Sequence, residues 1–154
     1  MKMTPTQKWI LGGLALAGLA AAMGAYSSDS DGGDENALLY PPVSPLRVRM
    51  DPLGDGHFGS SREGHTHQGV DLETTAGAIV RSPVAGVVTR TFYVYQDSQK
   101  WTGIEVKTPS GHRVKVMYVV PGIALQSNVQ IGDALGTAQP IHERYGAAMH
   151  DHIH

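Results

Sequence analysis

The chain contains no cysteine among its 154 residues. This absence excludes disulfide bonds, thiol nucleophiles and thiolate metal ligands, so imidazole and carboxylate groups are the strong metal ligands that remain. The chain also lacks a run of basic residues: 12 lysines and arginines stand against 14 aspartates and glutamates, which gives a formal net charge of -2. Because such a chain cannot neutralise successive phosphates, we expect no nucleic-acid partner.

Long amphipathic helices are a second absence, since no segment after residue 30 repeats its apolar residues with a helical period. Residues 78–120 instead hold short runs rich in β-branched and aromatic residues, divided by turn-forming residues. The sequence Pro-Ser-Gly at residues 109–111 predicts a hairpin turn, and Gly-Asp at 132–133 predicts a second tight hairpin. The fold class predicted is mostly β, a compact antiparallel domain of short strands.

The N-terminus carries the long apolar run of the chain. Lys2 and Lys8 precede an uncharged stretch over residues 9–26, an order typical of export signals. Small residues at 22–24 suit a signal peptidase, and the uncleaved run would anchor the protein in the membrane. We therefore interpret residues 1–26 as a signal peptide or signal anchor that forms an apolar helix, and we expect an extracytoplasmic protein, periplasmic or in the cell envelope.

Residues 27–44 are predicted to form a flexible tether. Their first part, SSDSDGGDEN, has no apolar side chain to bury, and their second part is rich in proline. The folded domain is expected to span residues 45–154. It is expected to open with a strand in which Leu46, Val48 and Met50 alternate with two arginines.

Histidine is unusually frequent, with eight copies, seven of which fall in two groups. In the first group His67 and Asp71 are four residues apart, with Gly69 between them. Four residues return to the same face of a strand, and nearly so in a helix. Imidazole and carboxylate can therefore converge on one ion in either structure.

The second group closes the sequence, where His150, His152 and His154 alternate with other residues. In a strand, all three imidazoles point to one side. Two or three imidazoles with one carboxylate form a ligand set that suits zinc, and three protein ligands leave a fourth position open. Each half alone is weak evidence, because an isolated HxxxD pair is more commonly a surface hydrogen bond.

Six segments then occur in a familiar order: HFGSSR, HQGVDL, TTAGAIVRSPVAGVV, SGHRVKVMY, VQIGDALG and the final HIH. Together they resemble the lysostaphin-type or LytM-like zinc endopeptidases, which cut peptide bridges of bacterial peptidoglycan, over about residues 45–154. The resemblance implies a duplicated-hybrid-motif-like β fold and a peptidoglycan peptide as substrate. It also implies one Zn²⁺ ion bound by His67, Asp71 and His154, with His152 assisting catalysis.

Two departures from the family pattern leave the activity open. Active members carry a histidine in a Tyr-x-His segment, but the equivalent residues 117–122, MYVVPG, contain none. The slot falls on Met117, Tyr118 or Val119, and we choose Tyr118 as catalytic because its phenol can donate to an oxyanion; an ordinary strand tyrosine is the alternative. This pattern is similar to the leukocyte cell-derived chemotaxin branch. Relatives also continue beyond the position of His154, so the domain is interpreted as truncated.

The other histidines are expected to be solvated or to support the site from outside, and Arg62 is treated as a surface arginine without an assigned partner. These histidines are His57, His65, His112, His142 and His150.

Three functions are compatible with this pattern. The first is a zinc metallo-endopeptidase that cleaves cross-links or bridges of peptidoglycan. The second is a zinc-binding module that engages cell wall or a protein partner without cleaving it. The third is a structural protein of a virion or envelope that uses the fold only as a scaffold. We prefer the first because the metal site keeps an open position and the N-terminus carries an export signal.

Overall fold

A computed structural model describes residues 39–154 of the chain. The predicted apolar helix within residues 1–26 and most of the predicted tether lie outside the described residues. Among residues 39–154, no helix has both the length and the apolar character needed to cross a membrane.

Strands dominate residues 39–154, which confirms the predicted fold class. The strands are β1 (Met50–Asp51), β2 (Gly54–Asp55), β3 (Ser61–Arg62), β4 (His65–Thr66), β5 (Leu72–Glu73), β6 (Ile79–Arg81), β7 (Gly86–Tyr95), β8 (Ser98–Lys107), β9 (Arg113–Met117), β10 (Val119–Pro121), β11 (Asn128–Val129), β12 (Ala134–Ala138) and β13 (His152–Ile153). One short helix, α1 (His142–Tyr145), lies between β12 and β13.

Two larger antiparallel sheets form the body of the domain. One has the strand order β11-β7-β8-β9 and the other has the order β10-β12-β6. Three two-stranded ribbons, β1-β2, β3-β4 and β5-β13, complete the described sheet structure. The β5-β13 ribbon joins a strand from the middle of the sequence to the last one, and this pairing brings the two histidine groups together.

The core gathers aliphatic side chains from both larger sheets. Ile104 and Val106 of β8, Val80 of β6 and Leu135 of β12 are each fully buried. Burying such a side chain stabilises the fold by about 1.5 to 3 kcal/mol, so these contacts fix the sheets on each other. Ile153 of β13 belongs to the same cluster, so the last strand is anchored by packing as well as by its hydrogen bonds.

Packing extends ahead of residue 45. Val43 is buried in the core, the Tyr40 amide donates to the Pro83 carbonyl, and the Arg81 amide donates to the Pro42 carbonyl. The described fold therefore includes part of the segment assigned to the tether.

The opening strand differs from its prediction. It is only β1 plus an isolated bridge between Val48 and Leu72, and Leu46 and Met50 are 61% and 64% exposed. The residue turned inward is Arg49, which is 3% exposed. Only one of the two arginines turns inward, because two buried carboxylates lie next to Arg49, as described below.

One predicted hairpin is confirmed and one is wrong. Residues 109–111 connect the antiparallel strands β8 and β9, with Gly111 at φ 95°. Residues 132–133 also form a turn, but β11 pairs with β7 whereas β12 pairs with β6 and β10. The turn is therefore a corner at which the chain passes from one sheet to the other.

Candidate metal centre

The HxxxD segment lies between two strands rather than on one. The His67 amide donates to the Ser60 carbonyl, and the His67 carbonyl accepts from the Gly59 amide. Asp71 is held in the same way, since its amide donates to Gly56 and its carbonyl accepts from Arg49. Backbone pairing with the preceding segment therefore fixes both residues at the centre.

The C-terminal pair of histidines is held from both sides. His152 lies opposite Glu73, and Ile153 lies opposite Leu72, in the β5-β13 ribbon. On the other side, the Met117 amide donates to the His154 carbonyl at 2.8 Å. The last strand thus links the end of β9 to β5, and alternation along it turns His152 and His154 to one side.

Three side chains converge where these segments meet. His67 Nε2 lies 3.1 Å from Asp71 Oδ1, His154 Nδ1 lies 3.0 Å from the same oxygen, and the two nitrogens are 3.0 Å apart. Within residues 39–154 no other group of three or more such side chains is arranged to hold a metal ion. The three residues singled out from the sequence are therefore neighbours in space.

The donor set fits a zinc ion. Donors at about 2.0 to 2.1 Å from a tetrahedral zinc lie about 3.3 Å from one another, close to the separations found here. Two imidazoles and one carboxylate oxygen are also the ligand types that zinc accepts in open sites. These side chains can hold zinc with small adjustments.

Hydrogen bonds to the backbone orient two of the imidazoles. His67 Nδ1 lies 3.0 Å from the His57 carbonyl, and His152 Nδ1 lies 2.7 Å from the His150 carbonyl. A carbonyl oxygen only accepts, so each Nδ1 carries the proton and each Nε2 keeps its lone pair. His67 therefore presents a ligating nitrogen to the centre, and His152 presents a basic one.

Gly69 leaves the space that the His154 ring occupies. A Cβ atom at Gly69 would overlap His154 Nε2 and would lie 2.8 Å from Cε1. Any side chain at this position would displace the ring from its place next to Asp71. The glycine between His67 and Asp71 is therefore part of the geometry of the centre.

Asp71 is a buried anion at the middle of the centre, 4% exposed. Burial raises the pKa of its carboxyl group, but the surrounding imidazoles and Arg49 outweigh this and lower the pKa to about 2. The carboxylate stays charged at neutral pH. Its two oxygens have separate partners: Oδ1 faces the imidazoles, whereas Oδ2 accepts from Arg49 at 3.0 Å and from Arg62 at 3.4 Å.

His152 lies beside the three converging side chains. Its Nε2 is 3.8 Å from Asp71 Oδ1, farther than the other two imidazoles. Burial lowers the pKa of His152 below its ordinary value. The ring is therefore neutral at neutral pH, with an unprotonated nitrogen directed towards the centre.

Tyr118 interrupts the sheet next to His152. Its φ of 65° is rare for a bulky side chain and separates β9 from β10. The Tyr118 ring meets the His152 ring edge to face at 5.3 Å, and its hydroxyl lies 2.8 Å from the Tyr95 hydroxyl. Burial raises the pKa of the Tyr118 phenol to about 12, so the phenol keeps its proton.

The remaining histidines lie away from the three donor atoms. His150 pairs with Glu73 at 2.7 Å, and His142 pairs with Asp151 at 2.7 Å. His57 contributes its carbonyl to His67 while its own ring is exposed. His65 and His112 are exposed.

Two arginines contact Asp71 although the sequence did not indicate it. Arg62 has partners after all, because it donates to the Asp55 carbonyl at 2.7 Å as well as to Asp71. Arg49 is buried against Asp71. Nothing in the alternation of residues 46–50 distinguishes Arg49 from Arg47, whose side chain is 71% exposed.

Comparison with known proteins agrees with this architecture. The solved structure of lysostaphin matches with a TM-score of 0.52 and 19% identity, over 71% of this chain and 42% of that chain. The chain has the lysostaphin-type fold. Leukocyte cell-derived chemotaxin-2 of Bos taurus is 28% identical over 120 residues, which cover 76% of this chain and 78% of that protein. No protein-family model matches the chain. The chain spans less than half of the lysostaphin chain, so the lysostaphin-type fold is what the structural likeness establishes.

Proposed function

We propose that this protein is a zinc-dependent endopeptidase that acts on the peptide part of bacterial peptidoglycan. The observation that carries the proposal is the convergence of three ligand atoms within 3.1 Å of one another, with a neutral imidazole and a protonated phenol alongside. The lysostaphin-type fold supports the same substrate class.

In this proposal His67, Asp71 and His154 hold one zinc ion. Zinc bound by three protein ligands supplies a Lewis acid that polarises a carbonyl group and acidifies water. The Asp71 charge offsets part of the charge of the cation. The backbone partners of His67 and Asp71 keep both side chains in place before the ion arrives.

His152 is proposed as the general base. Its Nε2 carries a lone pair because Nδ1 donates to the His150 carbonyl. Since burial lowers its pKa, the ring is unprotonated at neutral pH and can accept a proton at Nε2 from the attacking water. When that proton passes to the leaving amine, the ring returns to its starting state.

Tyr118 is proposed to donate a hydrogen bond from its hydroxyl group to the oxygen of the scissile carbonyl as negative charge develops there, while keeping its proton. A pKa near 12 keeps the phenol protonated across the pH range in which His152 is a base. The contact of the Tyr118 ring with the His152 ring at 5.3 Å supports this role, because it keeps the phenol next to the proposed base.

The location follows from the same proposal. Peptidoglycan lies outside the cytoplasmic membrane. In residues 2–26 two lysines precede an apolar run, an order that is typical of exported chains. We therefore propose an extracytoplasmic protein.

Incubation of the zinc-loaded protein with purified peptidoglycan tests the activity. The expected result is the release of new amino termini by the wild type and its loss in His152→Ala, with zinc content unchanged in that variant. A wild type that binds zinc but releases no amino termini between about pH 6 and 9, the range in which an unprotonated imidazole is available, would contradict the peptidase. Such a protein would be the non-cleaving zinc module.

Tyr118→Phe tests the proposed donor. The change removes one hydroxyl group, and we expect kcat to fall about 100-fold or more, in the range of a lost oxyanion donor, while zinc affinity stays the same. Tyr93→Phe is the matched control, since Tyr93 lies on β7 with 57% of its surface exposed. Equal kcat values for the two variants would remove Tyr118 from the reaction.

A further inference from the structure

Arg49 is the buried cation of the domain that the proposed reaction does not use. It is 3% exposed, whereas the Arg47 side chain, two residues earlier, is 71% exposed. A buried arginine is costly unless each of its donors finds a partner, because the guanidinium loses its hydration. Its partners therefore indicate what it does.

The guanidinium group bridges two carboxylates. Its Nε and one terminal nitrogen lie 3.3 Å and 3.0 Å from Asp71 Oδ2. The other terminal nitrogen lies 2.6 Å from Asp51 Oδ1, as an ion pair rather than a well-directed hydrogen bond. Arg49 thus occupies Oδ2 of Asp71 and leaves Oδ1 to the imidazoles.

Asp51 extends this bridge to the last strand. Its side chain is fully buried, its Oδ2 accepts from the His150 amide at 2.9 Å and its Oδ1 accepts from the Leu53 amide at 2.8 Å. His150 directly precedes the segment that carries His152 and His154. The contacts from Asp71 through Arg49 and Asp51 to His150 therefore tie the two halves of the centre together by a second route, besides the β5-β13 ribbon.

We propose that Arg49 is a positioning residue for the metal centre, and that its fork holds Asp71 so that a single oxygen faces the cation. The inference rests on the proposed zinc site. With Oδ2 of Asp71 held by Arg49, Oδ1 is turned towards the imidazoles, whereas an uncontacted carboxylate would rotate or offer both oxygens. Contacts of this kind around metal ligands alter metal affinity about 10-fold to 100-fold.

Arginine suits this role and lysine does not. A guanidinium presents several donors in one rigid plane, so it reaches two carboxylates at once, whereas an ammonium group is a single point charge. The pair of Asp51 and Asp71 offers two carboxylates to the one Arg49 guanidinium, which only a forked cation can contact at the same time.

The test measures the zinc dissociation constant by competition with a chelator, in the wild type, Arg49→Met, Arg49→Lys and Arg47→Met. We expect zinc affinity to fall about 100-fold in Arg49→Met and about 10-fold in Arg49→Lys, with no change in Arg47→Met. Far-UV circular dichroism of each metal-free variant shows whether the fold is retained. If Arg49→Met does not fold, Arg49→Lys, which keeps the charge and most of the side-chain length, decides the outcome.

Each outcome has one meaning. A merely structural arginine would lower the Tm of the metal-free protein and leave the zinc dissociation constant unchanged, and that result in Arg49→Lys overturns the inference. A wild type that binds no zinc, or a His67→Ala variant that binds it as tightly as the wild type, overturns the metal site itself. Failure of the positioning role and failure of the proposed function are therefore distinguishable.

Discussion

Two buried carboxylates of this protein have similar surroundings, but their oxygens have different partners. Asp71 and Glu105 are 4% and 2% exposed, and each lies near two arginines. The oxygens of Glu105 are both taken, Oε1 by Thr89 and Arg113 at 2.9 Å and 2.8 Å, and Oε2 by Arg90 at 3.5 Å. In Asp71 the arginines share Oδ2, and Oδ1 faces only imidazoles.

The partners of each oxygen can distinguish a structural carboxylate from a candidate metal ligand. A carboxylate whose oxygens all meet cations or hydroxyl donors is satisfied by the protein itself. An oxygen that meets several imidazole nitrogens, of which some carry lone pairs, can instead share a cation with them. By this criterion Glu105 is the carboxylate that stabilises the sheet, and Asp71 is the one that we propose as a metal ligand.

Neutralising each carboxylate in turn is expected to give the largest difference in zinc affinity between Asp71 and Glu105. Asp71→Asn keeps the shape and removes the charge, and we expect zinc affinity to fall by well over about 100-fold, more than the loss of a supporting contact causes. Glu105→Gln should leave zinc affinity at the wild-type value. Elemental analysis after dialysis measures the zinc content of both, and wild-type stoichiometry in Asp71→Asn would refute the assignment.

Gly69→Ala tests the centre without changing any ligand. The added methyl group would lie within 2.8 Å of two atoms of the His154 ring, and relieving such overpacking costs about 1 to 3 kcal/mol. We expect zinc affinity to fall about 10-fold as the ring moves away from Asp71, which corresponds to about 1.4 kcal/mol. Gln68→Ala, at the neighbouring exposed position, is the control. Titration with zinc in the presence of a chelator measures both, and equal affinities would mean that the ring position is irrelevant.

The pH dependence of unfolding tests whether the charge of Glu105 stabilises the sheet. The hydrogen bond from Thr89 and the pairing with Arg113 lower the pKa of Glu105 below its ordinary value, against the effect of burial. A lowered pKa in the folded state adds stability that is present above the ordinary value near 4.3 and lost as pH falls through the folded-state pKa. Glu105→Gln should therefore lose about 1 to 2 kcal/mol of the free energy of unfolding at pH 7, and this deficit should shrink towards pH 3.

Urea denaturation at pH 7, 5 and 3 measures this deficit. Glu63→Gln, at an exposed position, is expected to match the wild type at each pH. A deficit in Glu105→Gln that stays constant from pH 7 to pH 3 would show that the charge of Glu105 does not stabilise the sheet.

Much of the fold could be predicted from the sequence because the signals are local. The β-branched runs of residues 78–120 and the turn at 109–111 depend on neighbouring residues, and both predictions hold in the structure. The hairpin predicted at 132–133 failed for the opposite reason. A turn residue shows that the chain bends, whereas the partner of each following strand is set by contacts far away in the sequence.

Some residues of the candidate centre could likewise be recognised in the sequence, and others could not. The spacing and residue types of the chain point to His67 with Asp71 and to the C-terminal histidines as possible ligands. The choice of His154 among those histidines, and of Tyr118 where a histidine was expected, rests on the resemblance to the lysostaphin-type enzymes. Their metal-binding and catalytic roles stay predictions until zinc binding and cleavage are measured. The burial of Arg49 against Asp71 could not be predicted, since the pattern of residues 46–50 gives no reason to prefer Arg49 to Arg47.

Short strands, tight turns and two groups of ligand-type residues could be recognised in the sequence alone, because these features depend on the chemistry and spacing of near neighbours. Only the tertiary structure decided that the last strand pairs with β5, that Arg49 turns inward and that Tyr118 adopts a left-handed backbone. Those choices depend on which distant groups become buried together, since a buried charge or polar group is stable only where its partner is buried with it.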